Sequence, residues 1–395
     1  MKAVQLNATW DPKPDFKLGS KDIDGKLTYL GSKVWRYPKI EIVEKPKPEI
    51  GPDELLVEVQ SCGICGSDVH MAQSDDDGYI WYPGLTSFPA VLGHEFAGRV
   101  VEAGKNTLNK RTNKPYEVGE AVCAEEMFWC GKCRPCCDGF PNHCEALEEI
   151  GFSCDGAYTQ FVKVPAQYCW SLEALRPLYG DEKIYHAGSL VEPTCVAYNA
   201  VIERAGGIRP GDNVLILGGG PIGLAACSIL RRAGASHVIL SEPSASRAEL
   251  GKKMGATEVV DPVNNRMPEA VLDITGGMGA DLILEATGLP TVVWPDIETV
   301  IWEGRTLNAT VAIVARADAK IPLTGEVFQV RRASIVGAQG HSGHGTFPLA
   351  ISAMAAGMDM TPLITKQISL DEIAENLKML QTDREECKIT VTNFE

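Results

Sequence analysis

Asn213-Val-Leu-Ile-Leu-Gly218-Gly-Gly-Pro-Ile-Gly223 decides how the second half of this chain folds. The apolar run Val214 to Leu217 has the pattern of a strand buried on both faces of a parallel sheet. A Gly-x-Gly-x-x-Gly turn follows at once, and a helical stretch, 222–234, follows the turn. Gly218 permits the tight turn, Gly220 lets backbone approach a pyrophosphate, and Gly223 lets helix and strand pack closely. Pro221 and Ile222 open the helix, whose free amides and positive dipole end favour an anion. The turn is therefore shaped for a dinucleotide. Glu242 ends the next strand, where a carboxylate accepts hydrogen bonds from the adenosine ribose and repels a 2′-phosphate, which favours NAD over NADP. Arg247, close behind it, is a cation that can accommodate that phosphate, so this position leaves the choice open.

Outward from the turn, the same alternation repeats. A strand at His237-Val-Ile-Leu-Ser, a helix over 246–254, a strand at Glu258-Val-Val, a helix around 267–274 and a strand at Asp281-Leu-Ile-Leu-Glu follow in order. Strands alternating with helices of this length imply βαβ crossovers and a doubly wound parallel sheet. Further strands are expected at 306–314 and 333–337, and helices at 347–356 and 371–381. Before residue 190 the pattern differs. Segments 53–60 and 91–102 read as strands, and scattered Pro and Gly over 1–170 predict irregular antiparallel β structure with long loops.

The composition excludes several classes of function. Lys plus Arg number 37 against 52 Asp plus Glu, a formal charge of -15, so no cationic field recruits nucleic acid or an anionic membrane surface. With 45% hydrophobic and 23% charged residues the chain lies far from the disordered regime and should fold throughout. The N-terminus has no basic segment followed by an apolar stretch, and no run of about 18 apolar residues occurs, so a cytoplasmic protein is expected.

Thirteen cysteines, an odd number, argue for metal ligation or catalysis rather than a disulfide framework. Cys130, Cys133 and Cys136, with Cys144 eight residues on, place four thiols in one loop turned by Gly131, Pro135, Gly139 and Pro141. Two-residue spacers bring successive sulfurs to one point, as tetrahedral zinc at about 2.3 Å requires. Four protein ligands leave no open position, so this metal is structural; an iron–sulfur cluster uses the same ligands but nothing else here suggests electron transfer.

Cys62-Gly-Ile-Cys65-Gly-Ser-Asp68-Val-His70 and Gly93-His94-Glu95 complete the pattern. In this order, with the cysteine loop and the glycine turn, they resemble the zinc-dependent medium-chain alcohol and polyol dehydrogenases over nearly the whole chain. The resemblance implies a GroES-like β-rich catalytic domain over 1–193, a Rossmann domain over 194–340, and a return to the catalytic domain over 341–395. It implies two zinc ions, with Cys65, His94 and Glu95 or Glu192 as catalytic ligands. Glu192-Pro is similar to the branch containing sorbitol, threonine and glucose dehydrogenases; the alternative makes Glu192 a surface acid and Cys195 the ligand. By the same resemblance Ser67 and His70 relay a proton, Asp68 orients the site, and the assembly is a homodimer or homotetramer. The implied reaction is reversible hydride transfer between NAD and a secondary alcohol of a polyol or cyclic sugar alcohol, inositols and inososes included. A zinc-free quinone or enone reductase and a non-catalytic zinc- and NAD-binding regulator are the rivals. Residues 71–90 are an insertion whose Tyr79, Trp81 and Tyr82 either line a substrate entrance or anchor a loop.

Overall fold

The computed structural model describes residues 1–19, 22, 30–317, 319–341, 343 and 345–394. Among them, six strands form one wholly parallel sheet in the spatial order Glu258–Val260, His237–Ser241, Asn213–Leu217, Leu282–Glu285, Thr310–Ile313 and Ser334–Gly337. The chain reverses direction of winding beside Asn213–Leu217, and ligands of doubly wound sheets bind at that crevice. Val214 to Leu217 are buried, as their continuous apolar run demands. The helix Pro221–Ala233 follows and closes on Gly234 in the left-handed conformation at φ 101°. Gly223 is packed so closely that a Cβ there would lie 1.9 Å from the Gly218 carbonyl oxygen.

The N-terminal half builds a sheet of mainly antiparallel strands around Glu54–Gly63, which pairs with Glu95–Ala103 on one side and with Phe161–Pro165 and Lys388–Asn393 on the other. The single strand expected at 91–102 is interrupted. Ala90–Val91 pairs with Lys2–Trp10, Glu95–Ala103 joins the larger sheet, and Gly93 turns between them at φ 91°. A side chain at Gly93 would strike the Tyr158 ring at 2.5 Å. The first strand reaches Trp10 and its partner starts at Trp35; residues 20, 21 and 23–29 of the connection between them lie outside the described residues.

The C-terminal segment returns to this sheet, because Lys388–Asn393 pairs with Glu54–Gly63 and lies parallel to Ile364–Ser369. Helices Val191–Tyr198 and Thr346–Ala355 pack against each other. Their apolar side chains share one core with Ala97 and Cys123 of the N-terminal sheet and with Val214, Ile216 and Leu224 of the parallel sheet. The two halves are thereby fixed on a common base, with a cleft above it.

Gly223→Ala is expected to lower stability by about 3 kcal/mol, since the added methyl meets backbone that cannot move aside. Urea unfolding of the purified chain measures it; unchanged stability would show that the turn relaxes.

Candidate active site and metal centres

Cys65 caps the short helix Gly66–Ala72, and the Asp68 carboxylate reaches back to accept the Cys65 backbone N–H at 3.0 Å. Ser67, Asp68 and His70 therefore sit on a helix turn rather than in a free loop. The Gly93 turn delivers His94 and Glu95 opposite them. Ligand atoms of Cys65, His94 and Glu95 all lie within 4.8 Å of one another.

Three observations test whether a metal fits here. Thiol, imidazole and carboxylate make a donor set typical of zinc. His94 Nδ1 and Asp68 Oδ1 are both buried without a hydrogen-bond partner, 3.8 Å apart. Glu192 is buried in the first turn of its helix, and burial together with Glu126 and Glu95 pushes its carboxyl well above the usual range, a condition that a nearby cation relieves. The residues fit. Cys195 is fully buried among apolar side chains, while Glu192 lines the cleft.

Glu95 has a second partner. Lys388, at the start of the last strand and 2% exposed, donates to both Glu95 carboxylate oxygens at 2.7 and 2.5 Å and to the Ile64 carbonyl at 2.9 Å. Burial alone lowers a lysine pKa, yet the charges of Glu95 and Cys65 outweigh it and hold Lys388 above its ordinary value. The sequence signal for Lys388 is a lysine opening an otherwise uncharged strand, a residue type rarely buried without a partner.

Asp68 Oδ2 also accepts the Tyr158 hydroxyl at 2.8 Å. Ser67 Oγ is buried with no partner. His70 is partly buried beneath the insertion: its carbonyl accepts the backbone N–H groups of Trp81 and Tyr82, and its ring lies 6.4 Å from the Trp81 ring. Burial lowers its pKa, as does Arg384. The insertion divides its aromatic residues. Tyr79 is buried against Lys13 and Arg36, Trp81 is half exposed, and Tyr82 lines the cleft against Phe152.

The cleft encloses about 770 Å³ and lies between the two halves. Cys65, Ser67, His70, His94, Glu95 and Glu192 line it from one side, and Gly220, Pro221 and Ile222 from the other. Glu242 is buried behind the glycine turn, accepting the Gly219 N–H at 2.6 Å and the Ser244 N–H at 2.8 Å. Arg247 faces the C-terminal segment, donating to the Glu386 carbonyl at 2.6 Å. Arg204, Glu126, Glu149 and Arg316 also line the cleft, and sequence reading found none of them.

The four-cysteine loop closes on itself. Its sulfurs lie within 4.8 Å of one another, with Cys133 and Cys136 3.4 Å apart. Backbone N–H groups of Cys130, Cys133, Glu145 and Ala146 point at these sulfurs at 3.2 to 3.4 Å. Such donors stabilise thiolate, and those from Lys132 and Cys133 hold Cys130 down to about 6. This loop also fits zinc. Cys137 is exposed and takes no part in the cluster, and all thirteen cysteines are free of disulfides.

Residues 51–174 match the alcohol dehydrogenase GroES-like domain and residues 221–356 the zinc-binding dehydrogenase domain. Scyllo-inosose 3-dehydrogenase of Thermotoga maritima is 66% identical over 394 residues, covering 100% of both chains. The chain belongs to the zinc-binding alcohol dehydrogenase family. A solved structure from Thermotoga maritima superposes on this dehydrogenase with a TM-score of 0.96 at 66% identity, covering 99% of this chain and 100% of that one. A zinc-binding dehydrogenase fold from Sinorhizobium meliloti 1021, solved with NADP, gives a TM-score of 0.77 at 28% identity, covering 93% and 99%. The dehydrogenase has no helix, among the described residues, long and apolar enough to cross a membrane.

Lys388→Met should destabilise the zinc-free enzyme by about 3–5 kcal/mol, because Glu95 is left buried and unpaired. Chemical denaturation gives the value, and Lys388→Arg should recover part of it. A loss below about 1 kcal/mol would mean that water replaces the ammonium group.

Proposed function

We propose that this dehydrogenase reversibly oxidises one secondary hydroxyl of a cyclic polyol to a ketone, with an inosose or inositol as the substrate class and NAD as hydride acceptor. The observation that carries the reading is the full-length 66% identity to a scyllo-inosose 3-dehydrogenase, combined with a cleft in which Cys65, His94 and Glu95 face the glycine turn. We assign two zinc ions per chain. Cys65, His94 and Glu95 hold the catalytic ion with Glu192 facing it, and Cys130, Cys133, Cys136 and Cys144 hold the structural one. When bound, zinc supplies Lewis acidity toward the hydroxyl oxygen and the nicotinamide accepts the hydride.

The remaining work falls to side chains. Ser67, buried and unpaired, accepts the hydroxyl proton as its own proton passes on toward His70 at the rim, which hands it to solvent; the lowered pKa keeps that imidazole neutral and able to accept. Asp68 sets the orientation of His94. Gly218, Gly220, Pro221, Ile222 and Gly223 seat the pyrophosphate. Glu242 braces the turn through Gly219 and, by its charge, disfavours a 2′-phosphate; Arg247, engaged with Glu386, does not offset it. The catalytic unit comprises 1–193 and 341–395 and the coenzyme unit 194–340, joined by the common core, and the assembly is a cytoplasmic homodimer or homotetramer.

An NADH-release screen over acyclic polyols, aldoses, inositols and inososes on zinc-replete enzyme tests the substrate, with highest kcat/KM expected for a cyclic polyol. Preference for an acyclic polyol or an amino alcohol would overturn the assignment. Metal analysis should find two zincs per chain, one in Cys65→Ser, which keeps the fold and loses activity. Glu242→Ser should shift the NAD to NADP ratio of kcat/KM by about tenfold or more toward NADP, the size of one lost charge repulsion; an unchanged ratio would remove Glu242 from coenzyme choice.

A further inference from the structure

Resting on the reading of the cleft as a cyclic-polyol site, we propose that Glu126 and Glu149, with His341 behind them, form the subsite for ring hydroxyls remote from the reacting carbon. Both carboxylates line the same cleft as Cys65 and His94, yet neither belongs to the metal-ligating group. They are 5% and 7% exposed, and His341 is wholly buried. Glu126 Oε2 has no hydrogen-bond partner. It stands 2.9 Å from His341 Nε2, a buried ion pair that meets its charge and leaves it short of hydrogen bonds. His341 Nδ1 accepts the Gly343 N–H at 3.0 Å, which places a proton on Nε2, toward Glu126.

A buried carboxylate that has a counter-charge but few hydrogen bonds is completed by a ligand that donates them. The proton and hydride chemistry does not use these residues. Their chemistry suits vicinal hydroxyls: a carboxylate accepts two O–H groups on neighbouring carbons. Burial and the charge of Glu126 push Glu149 up to about 8, so it can act as a donor beside an acceptor. Tyr82 and Phe152, ring centroids 5.3 Å apart, add an apolar wall on the same cleft for the C–H face of a saturated ring.

The cysteine loop holds this subsite in place. Met127–Phe128, next to Glu126 and leading into Cys130, pairs with Glu148–Glu149, and Met127 packs with Cys144 and Leu147. On the other side, Asn142 of the loop donates to the Gln339 carbonyl at 3.1 Å and Asn199 to Gly340 at 2.8 Å, fixing the segment that carries His341. Glu126 and Glu149 are thus substrate-contacting residues, and His341 is a positioning residue that acts through Glu126.

The test measures steady-state kinetics and the affinity of the enzyme–NADH complex for the cyclic polyol that wild-type enzyme turns over best. E126Q keeps the shape and removes the charge; it should raise KM and weaken ligand affinity by about 10- to 100-fold, the worth of a charged hydrogen bond, with kcat within about threefold. E149A should show the same split, and it carries the test if E126Q does not fold. H341Q should raise KM through the same complex, and NADH affinity should be unchanged in all three. Wild-type activity on cyclic polyols with unchanged KM in E126Q and E149A overturns the subsite alone. So does a fall in kcat with KM and NADH affinity preserved, which assigns these residues to the reacting centre. Wild-type enzyme that neither binds nor oxidises any cyclic polyol overturns the substrate reading and the subsite together.

Discussion

Asp68, Glu95, Glu126, Glu149 and Glu192 are all buried around one cleft in a chain that is already strongly acidic, and the fold depends on how that charge is met. An ionised carboxylate in a protein interior is tolerated only with hydrogen bonds or a counter-charge. Glu95 receives its counter-charge from Lys388, 293 residues away in sequence. The pair explains why the chain must come back after the parallel sheet: without the last strand the catalytic side of the cleft carries an uncompensated acid. Asp68 is met by the Cys65 N–H and the Tyr158 hydroxyl, and Tyr158 has room for its ring only because residue 93 is glycine. A turn, a cap and a strand pairing thus serve one electrostatic requirement.

Much of the fold was legible because local sequence and global architecture agree. Val214 to Leu217, the glycine turn and the following helix each demand the other, and the remaining strands of the parallel sheet carry the same apolar run. The helix Pro290–Glu303 was not read, although Trp294, Ile297 and Ile301 bury one face of it, because the internal Pro295 speaks against a helix there. The strand expected at 91–102 was broken by Gly93 for a reason outside its own segment, the approach of Tyr158. The candidate site divides in the same way. Cysteine and histidine spacing shows a metal donor set because ligands cluster in sequence. Lys388, Glu126, Glu149 and Arg316 reach the cleft by tertiary packing, and an acid beside another acid, as in Glu125-Glu126, looks like solvated surface until burial is known.

The four-cysteine loop gains a role from its neighbours. It is remote from the reacting centre in sequence, and a metal held by its four thiols would have no open position for chemistry. Yet Glu126 immediately precedes the strand leading into it, the strand leaving it carries Glu149, and its Asn142 holds the segment of His341. Rigid placement of binding groups requires that their supports be rigid. On the proposed reading, a tetrahedral metal in a loop of glycine and proline turns would supply that rigidity where hydrophobic packing is thin, since among the described residues the local core contains Leu85, Met127, Cys144 and Leu147 as its fully buried apolar side chains.

Selectivity follows from the same buried acids. A pocket lined with apolar groups rejects an added hydroxyl weakly, whereas one built to bind hydroxyls strongly rejects a substrate that lacks them. A simple alcohol entering this cleft has no second hydroxyl to offer and returns no hydrogen bond to Glu126. A polyhydroxylated ring restores what burial removed. Arg316 closes the same side from the coenzyme half: its guanidinium stands 5.3 Å from the Tyr82 ring and donates to the Pro83 carbonyl at 3.4 Å. The insertion and the parallel-sheet half therefore meet at the cleft, and on the proposed reading the buried acids are also what distinguishes one ligand from another.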